Sequence, residues 1–102
     1  MAVPELFRAL GDPTRLEMVQ RLSGGGTFTI TTVSTGLQIS RQGARKHLQI
    51  LADAKLVKME PKGREMSVIL QKSELKRAGQ CIADLEKKWD VRLEKLKNIL
   101  EQ

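Results

Sequence analysis

Apolar positions recur at helical spacing along most of the chain, and the period changes once. Leu6, Phe7 and Leu10 share one side of a short segment, Pro4 to Leu10, which reads as a helix. A second helix starts sharply at Asp12-Pro13: the aspartate is a good N-cap, and proline suits the first turn, where its missing N–H is no loss. Leu16, Val19 and Leu22 then recur at helical spacing, with Met18 beside them, and Ser23-Gly24-Gly25-Gly26 ends it. Thr27-Phe28 reads as a short extended piece. Thr29 can cap a weak helix from about Ile30 to Leu37, with Val33 and Leu37 facing inward. Gln38-Ile39 is a tight connection. Ser40 caps a stronger helix, Arg41 to about Ala54, whose apolar side is Ala44, Leu48 and Leu51.

Past Leu56 the period drops to two. Val57 and Met59 alternate with Lys58 and Glu60, and Met66, Val68 and Leu70 alternate with Glu65 and Ser67. Pro61-Lys62-Gly63-Arg64 between them is a hairpin signal with glycine in the turn. From about Ser73 the pattern is helical to the end. Two consecutive helices joined by about three residues and followed at once by a basic hairpin describe a winged helix-turn-helix. The expected fold is mainly α with a small β-hairpin (α+β), one domain over residues 1–102, in which residues 73–101 form a long C-terminal helix.

The chain has 102 residues, 40% of them hydrophobic and 29% charged, which fits an ordinary globular domain. No apolar run approaches the roughly 18 residues of a membrane helix. The opening MAVPELFRAL lacks a basic stretch followed by an apolar one, so no secretory leader is expected. The single cysteine, Cys81, forms no internal disulfide, which points to a cytoplasmic setting. One histidine (His47), one cysteine and no tyrosine leave no metal site, no cofactor site and no catalytic constellation to propose, so an enzyme is not expected.

Charge changes the picture more than composition does. The net charge is +6, and residues 41–64 carry seven basic residues against two acidic ones, net +5. So focused an excess points to a polyanion. In a helix-turn-helix the second helix enters the major groove, where base edges present a full donor and acceptor code. Ser40 leaves its helix end facing a phosphate. Arg41, Gln42 and Arg45 have the planar groups that pair with guanine or adenine, and Lys46 suits a phosphate. Gln49 extends the same face, and Lys62 and Arg64 at the hairpin tip reach an adjacent groove or the backbone. Gly43, costly inside a helix, either allows close approach to a duplex or is simply tolerated. His47, next to the apolar stripe, reads first as a packed, hydrogen-bonded residue. The basic residues do not flank an apolar face with Trp or Phe, so no membrane partner is expected.

Several motifs resemble the ArsR/SmtB-type repressors. Ala9-Leu10-Gly11-Asp12-Pro13-Thr14-Arg15-Leu16 is similar to the opening of that family. Ile39-Ser40-Arg41-Gln42 through Lys46-His47-Leu48-Gln49-Ile50-Leu51, then Ala54-Lys55-Leu56-Val57, resembles its recognition-helix signature, and Gly63-Arg64 stands at its wing turn. Trp89-Asp90-Val91-Arg92-Leu93 with Leu96 resembles the terminal helix of a branch without metal sites. The resemblance spans about residues 6–100 and implies a homodimeric, DNA-binding transcriptional repressor acting on an inverted repeat. Metal-sensing members carry a cysteine pair where this chain has Thr32 to Leu37, and the last helix here offers Cys81 and Asp84 without a histidine. Gly36 and Gly43 also stand where better helix formers are usual.

On that last helix, Ile82, Leu85, Trp89, Leu93, Leu96 and Leu100 recur three or four residues apart, close to a heptad seam. A small domain cannot cover so long a seam. The expectation is a two-fold dimer interface to which Leu6, Phe7 and Leu10 contribute. The competing reading is a dimeric adaptor whose basic helix meets an acidic protein.

Overall fold

A computed structural model describes residues 3–101; Met1, Ala2 and Gln102, the ends of the expected domain, lie outside the described residues. The order is α1 (Val3–Leu10), α2 (Pro13–Ser23), β1 (Phe28–Thr29), α3 (Ile30–Val33), α4 (Arg41–Asp53), β2 (Val57–Lys62), β3 (Glu65–Leu70) and α5 (Lys72–Leu100). The fold is mostly helical, with a three-stranded antiparallel sheet in the order β1-β3-β2.

Local chemistry sets most of the boundaries. Asp12 accepts the Arg15 backbone N–H at 3.0 Å and starts α2. Ser40 accepts the Gly43 N–H at 2.9 Å and starts α4. α4 ends with Lys55 in the left-handed region (φ 60°), where the Lys55 N–H donates to Ala52 and the Leu56 N–H to Leu51. That double bond pattern, with Leu51 and Leu56 both buried, closes the helix end and turns the chain into β2. Across the hairpin Lys62 pairs with Glu65, leaving a two-residue turn whose first residue, Gly63, takes a positive φ of 63°.

Two expectations need correction. The helix expected to reach Leu37 stops at Val33. Ser34 Oγ donates back to the Ile30 carbonyl at 2.6 Å and Thr35 Oγ1 to Thr31 at 3.0 Å, so hydroxyls compete for the backbone acceptors of the last turn. Arg21 Nη1 takes the Val33 and Thr35 carbonyls at 3.1 and 2.7 Å and fixes the exit. The short strand lies one residue later than expected. Phe28 and Thr29 pair with Val68 and Ser67, and Thr29 then serves as the N-cap of α3.

The core is a single cluster of buried residues. Leu6, Met18, Val33, Leu48, Leu51, Leu56 and Val57 are its largest fully enclosed side chains, drawn from α1, α2, α3, α4, β2 and, for Leu56, the turn between α4 and β2. α5 behaves differently. Ala78 is buried and Leu75 packs on the core, but every residue from Ile82 to Glu101 is exposed. At about 1.5 Å per residue those last turns extend for roughly 30 Å. The radius of gyration is therefore 18.1 Å, against roughly 13 Å for a compact chain of this length.

Candidate nucleic-acid interface

α4 is held by one side and open on the other. Ala44, Leu48 and Leu51 are buried, while Arg41, Gln42, Arg45, Lys46 and Gln49 are exposed, as is the cap Ser40. The placement follows from the sequence: an α-helix puts residues three and four apart on one face, and the apolar set here has that spacing. The turn before α4 is shaped by Gly36 and Gln38, both with positive φ, and α3 packs against α4.

Gly43 has a local reason to lack a side chain. A Cβ there would sit 3.2 Å from Ser40 Oγ, the atom that accepts Gly43's own N–H. Glycine leaves the capping hydroxyl in place.

The wing folds back toward the start of α4. Between them lies an open cleft of about 420 Å³, lined by Arg41, Gln42, Arg45, Arg64, Thr31 and Met66 among others. Three guanidinium groups thus surround one groove. Among the described residues no ion pair engages Arg41, Arg45, Lys46, Lys62 or Arg64. Thr31 and Met66 were not singled out from the sequence. Thr31 stands on α3 and Met66 on β3, and only the packing of α3 against β3 and α4 brings both to the cleft, which no local pattern signals.

Other charges of the basic segment are already committed. Lys58 Nζ lies 2.8 Å from Glu60 Oε1, and the hydrogen bond to that carboxylate raises the Lys58 pKa above its ordinary 10.5. Gln49 Nε2 donates to Asp53 at 2.9 Å, which leaves its carbonyl oxygen as the unengaged end of the amide. Lys62 is exposed at the end of β2, beside the cleft's wall rather than part of it. His47 is half-buried and lies 3.2 Å from Arg15 Nη1.

The expected dimer surface divides in two. Ile82, Leu85, Trp89, Leu93, Leu96 and Leu100 are all exposed, Trp89 at 59% and Leu96 at 53%, so the seam on α5 is uncovered. Phe7 and Leu10 are half-buried. Leu6 is corrected: it is fully enclosed in this chain's own core and presents nothing to a second copy. Cys81 is half-buried at the junction of α1 and α5. No helix among the described residues is long and apolar enough to cross a membrane.

Known proteins share both the pattern and the shape. Residues 10–60, which run from the end of α1 into the wing, match a helix-turn-helix domain family. The chain is 35% identical over 77 residues to the uncharacterized HTH-type transcriptional regulator YuzN of Bacillus subtilis (strain 168), covering 70% of this chain and 84% of that protein. An ArsR-like transcriptional regulator from Rhodococcus sp. RHA1 superposes with a TM-score of 0.77 at 31% identity, over 95% of this chain and 91% of that one. The transcriptional repressor BigR from Xylella fastidiosa has the same fold, with a TM-score of 0.63 at 21% identity over 83% of each chain.

Proposed function

The chain belongs to the ArsR-type winged helix-turn-helix transcriptional regulators, a class of DNA-binding proteins rather than enzymes, and we propose that it works as a homodimeric repressor on an inverted-repeat operator in the cytoplasm. The observation that carries the reading is the outer face of α4, where Arg41, Gln42 and Arg45 stand in solvent around a cleft shared with the wing, with Lys46 exposed beside them, and none of the three cations is in an ion pair among the described residues. α4 fits a major groove, and its first turns bring Arg41, Gln42 and Arg45 to base edges. Ser40 and the helix N-terminus meet a phosphate, as does Lys46. Gln49 offers its free carbonyl oxygen, and Lys62 and Arg64 carry the contact to the neighbouring groove.

The second copy covers the seam of α5. A row of exposed Ile, Leu and Trp side chains over about 30 Å is stable in water only when paired, since each buried side chain of this kind contributes about 1.5–3 kcal/mol. Ile82, Leu85, Trp89, Leu93, Leu96 and Leu100 form that surface, with Phe7 and Leu10 at its edge. Residues 1–102 act as one domain, with residues 73–101 as its dimerisation helix. Two-fold pairing gives two reading helices, which meet successive major grooves when spaced by about 34 Å. A dimer seated in this way blocks the duplex to other proteins, which is repression in its simplest physical form; the Xylella protein of the same fold is named a repressor.

Selection of duplexes from a random pool tests this. The expected product is a pair of inverted half-sites, bound with an affinity that drops steeply as salt rises. Recovery of no enriched sequence overturns the proposal.

A further inference from the structure

Asp12, Arg15 and His47 meet where three helices come together. Arg15 Nε donates to the Ala9 carbonyl at 2.7 Å, and Nη2 reaches the Arg8 carbonyl at 3.4 Å. Both oxygens belong to the last turn of α1; the Arg8 carbonyl also accepts the Gly11 N–H at 3.2 Å, so the shorter bond to Ala9 is the stronger tie. The third nitrogen, Nη1, lies 3.2 Å from His47 Nδ1 on α4. A guanidinium only donates, so the imidazole accepts at Nδ1 and carries its proton on Nε2. Asp12 Oδ2 accepts the Arg15 backbone N–H at 3.0 Å and lies 3.9 Å from His47 Nδ1, which completes the cluster. One side chain from α2 therefore grips the end of α1 and the middle of α4 together.

The two helices it joins have different work. α1 packs on α5, which carries the apolar seam, and α4 carries the outward polar face. His47 sits between Lys46, which is exposed, and Leu48, which is fully buried. Apolar packing of Ala44, Leu48 and Leu51 holds α4 against the body, but that attraction is non-directional. A hydrogen bond weakens steeply once its angle is lost. The Arg15–His47 bond is thus suited to fix how far α4 is rolled, and with it where Arg45 and Lys46 point.

We propose that Arg15 is a positioning residue for DNA recognition. By holding the last carbonyls of α1 and His47 at once, it sets the angle of α4 against the α1–α5 platform, and so the separation of the two reading helices. This rests on the dimeric reading above.

The test starts from the operator selected by the unaltered protein. Arg15→Ala also takes the donor from the Ala9 carbonyl and can fail to fold, so the decisive pair is at position 47. His47→Leu removes the acceptor and leaves the Arg15–carbonyl bonds. His47→Asn returns an acceptor oxygen near the place of Nδ1. His47→Leu is expected to bind the operator about tenfold more weakly. It should also accept half-sites moved by about one base pair almost as well as the original spacing, with dimer mass and melting temperature kept. His47→Asn should restore both affinity and spacing preference. The positioning role is overturned if His47→Leu keeps the original affinity and spacing, or weakens every spacing by the same factor as its melting temperature drops. It is equally overturned if His47→Asn behaves like His47→Leu. Should the unaltered protein select no paired half-sites, the dimeric reading itself fails, and the positioning role with it.

Discussion

α4 and the outer part of α5 are both helices with an exposed face, and they are exposed for opposite reasons. α4 buries its apolar side in the core and shows solvent its cationic one. From Ile82 onward α5 buries neither side, and what it leaves in water is its apolar one. A polar face in solvent is at rest in the monomer and needs a charged partner only to function. An apolar seam in solvent is a structure still missing a neighbour. The contrast says which surface meets nucleic acid and which meets protein, and it can be attacked from either end.

The largest effect is expected on the seam. Leu93→Glu places a charge in the middle of it and should turn the dimer into a monomer by sedimentation, with helical circular dichroism kept. Losing the linked second half-site should lower operator affinity by about 100-fold or more. A dimer of unchanged mass would remove the contrast between the two helices. On α4 the reverse should hold for the buried side. Leu48→Ala opens a cavity under a fully enclosed leucine and should cost about 2–5 kcal/mol in denaturant unfolding at fixed protein concentration. Ser40→Ala removes the cap and should cost about 1 kcal/mol, with Gly43 losing its acceptor.

The smallest effect concerns acid. The Arg15 backbone N–H donating to Asp12, more than the nearby charge of Arg15, holds the Asp12 pKa below its ordinary 3.8. A depressed carboxylate pKa adds stability that is present above the unfolded value and is lost as pH falls through the folded one. The stability gap between the natural chain and Asp12→Asn should therefore be constant near neutrality and narrow only below about pH 4. A gap that closes already near neutral pH would mean another group is responsible.

The sequence made legible whatever local chemistry decides. Asp12 and Ser40 announced their helices, Gly63 its turn, and the spacing of Ala44, Leu48 and Leu51 the side of α4 that is buried. It was least informative where the partner is remote. The end of α3 depends on Arg21, twelve residues before the carbonyl it takes from Val33. A short extended piece at Thr27-Phe28 was legible, but its pairing with Val68, which makes it a third strand of the sheet, was not. Leu6 sits on the apolar side of α1 beside Phe7, and only the packed structure separates the enclosed residue from its half-buried neighbour. Likewise Arg15 and His47 stand 32 positions apart, and nothing in either neighbourhood points to the other. The Lys58–Glu60 and Gln49–Asp53 pairs were within reach of a local reading, yet net charge alone hid them.

The central claim is that the outer side of α4 reads a duplex, with a different task for each cation. Titration of labelled operator and of random duplex over a range of salt, with Arg45→Ala and Lys46→Ala beside the natural chain, addresses it most directly. Arg45→Ala should cost about 1–3 kcal/mol on the operator and erode the preference over random sequence. Lys46→Ala should weaken both duplexes alike and lower the salt slope by about one. Unchanged binding in both variants, or equal losses on both duplexes from each, would contradict the account.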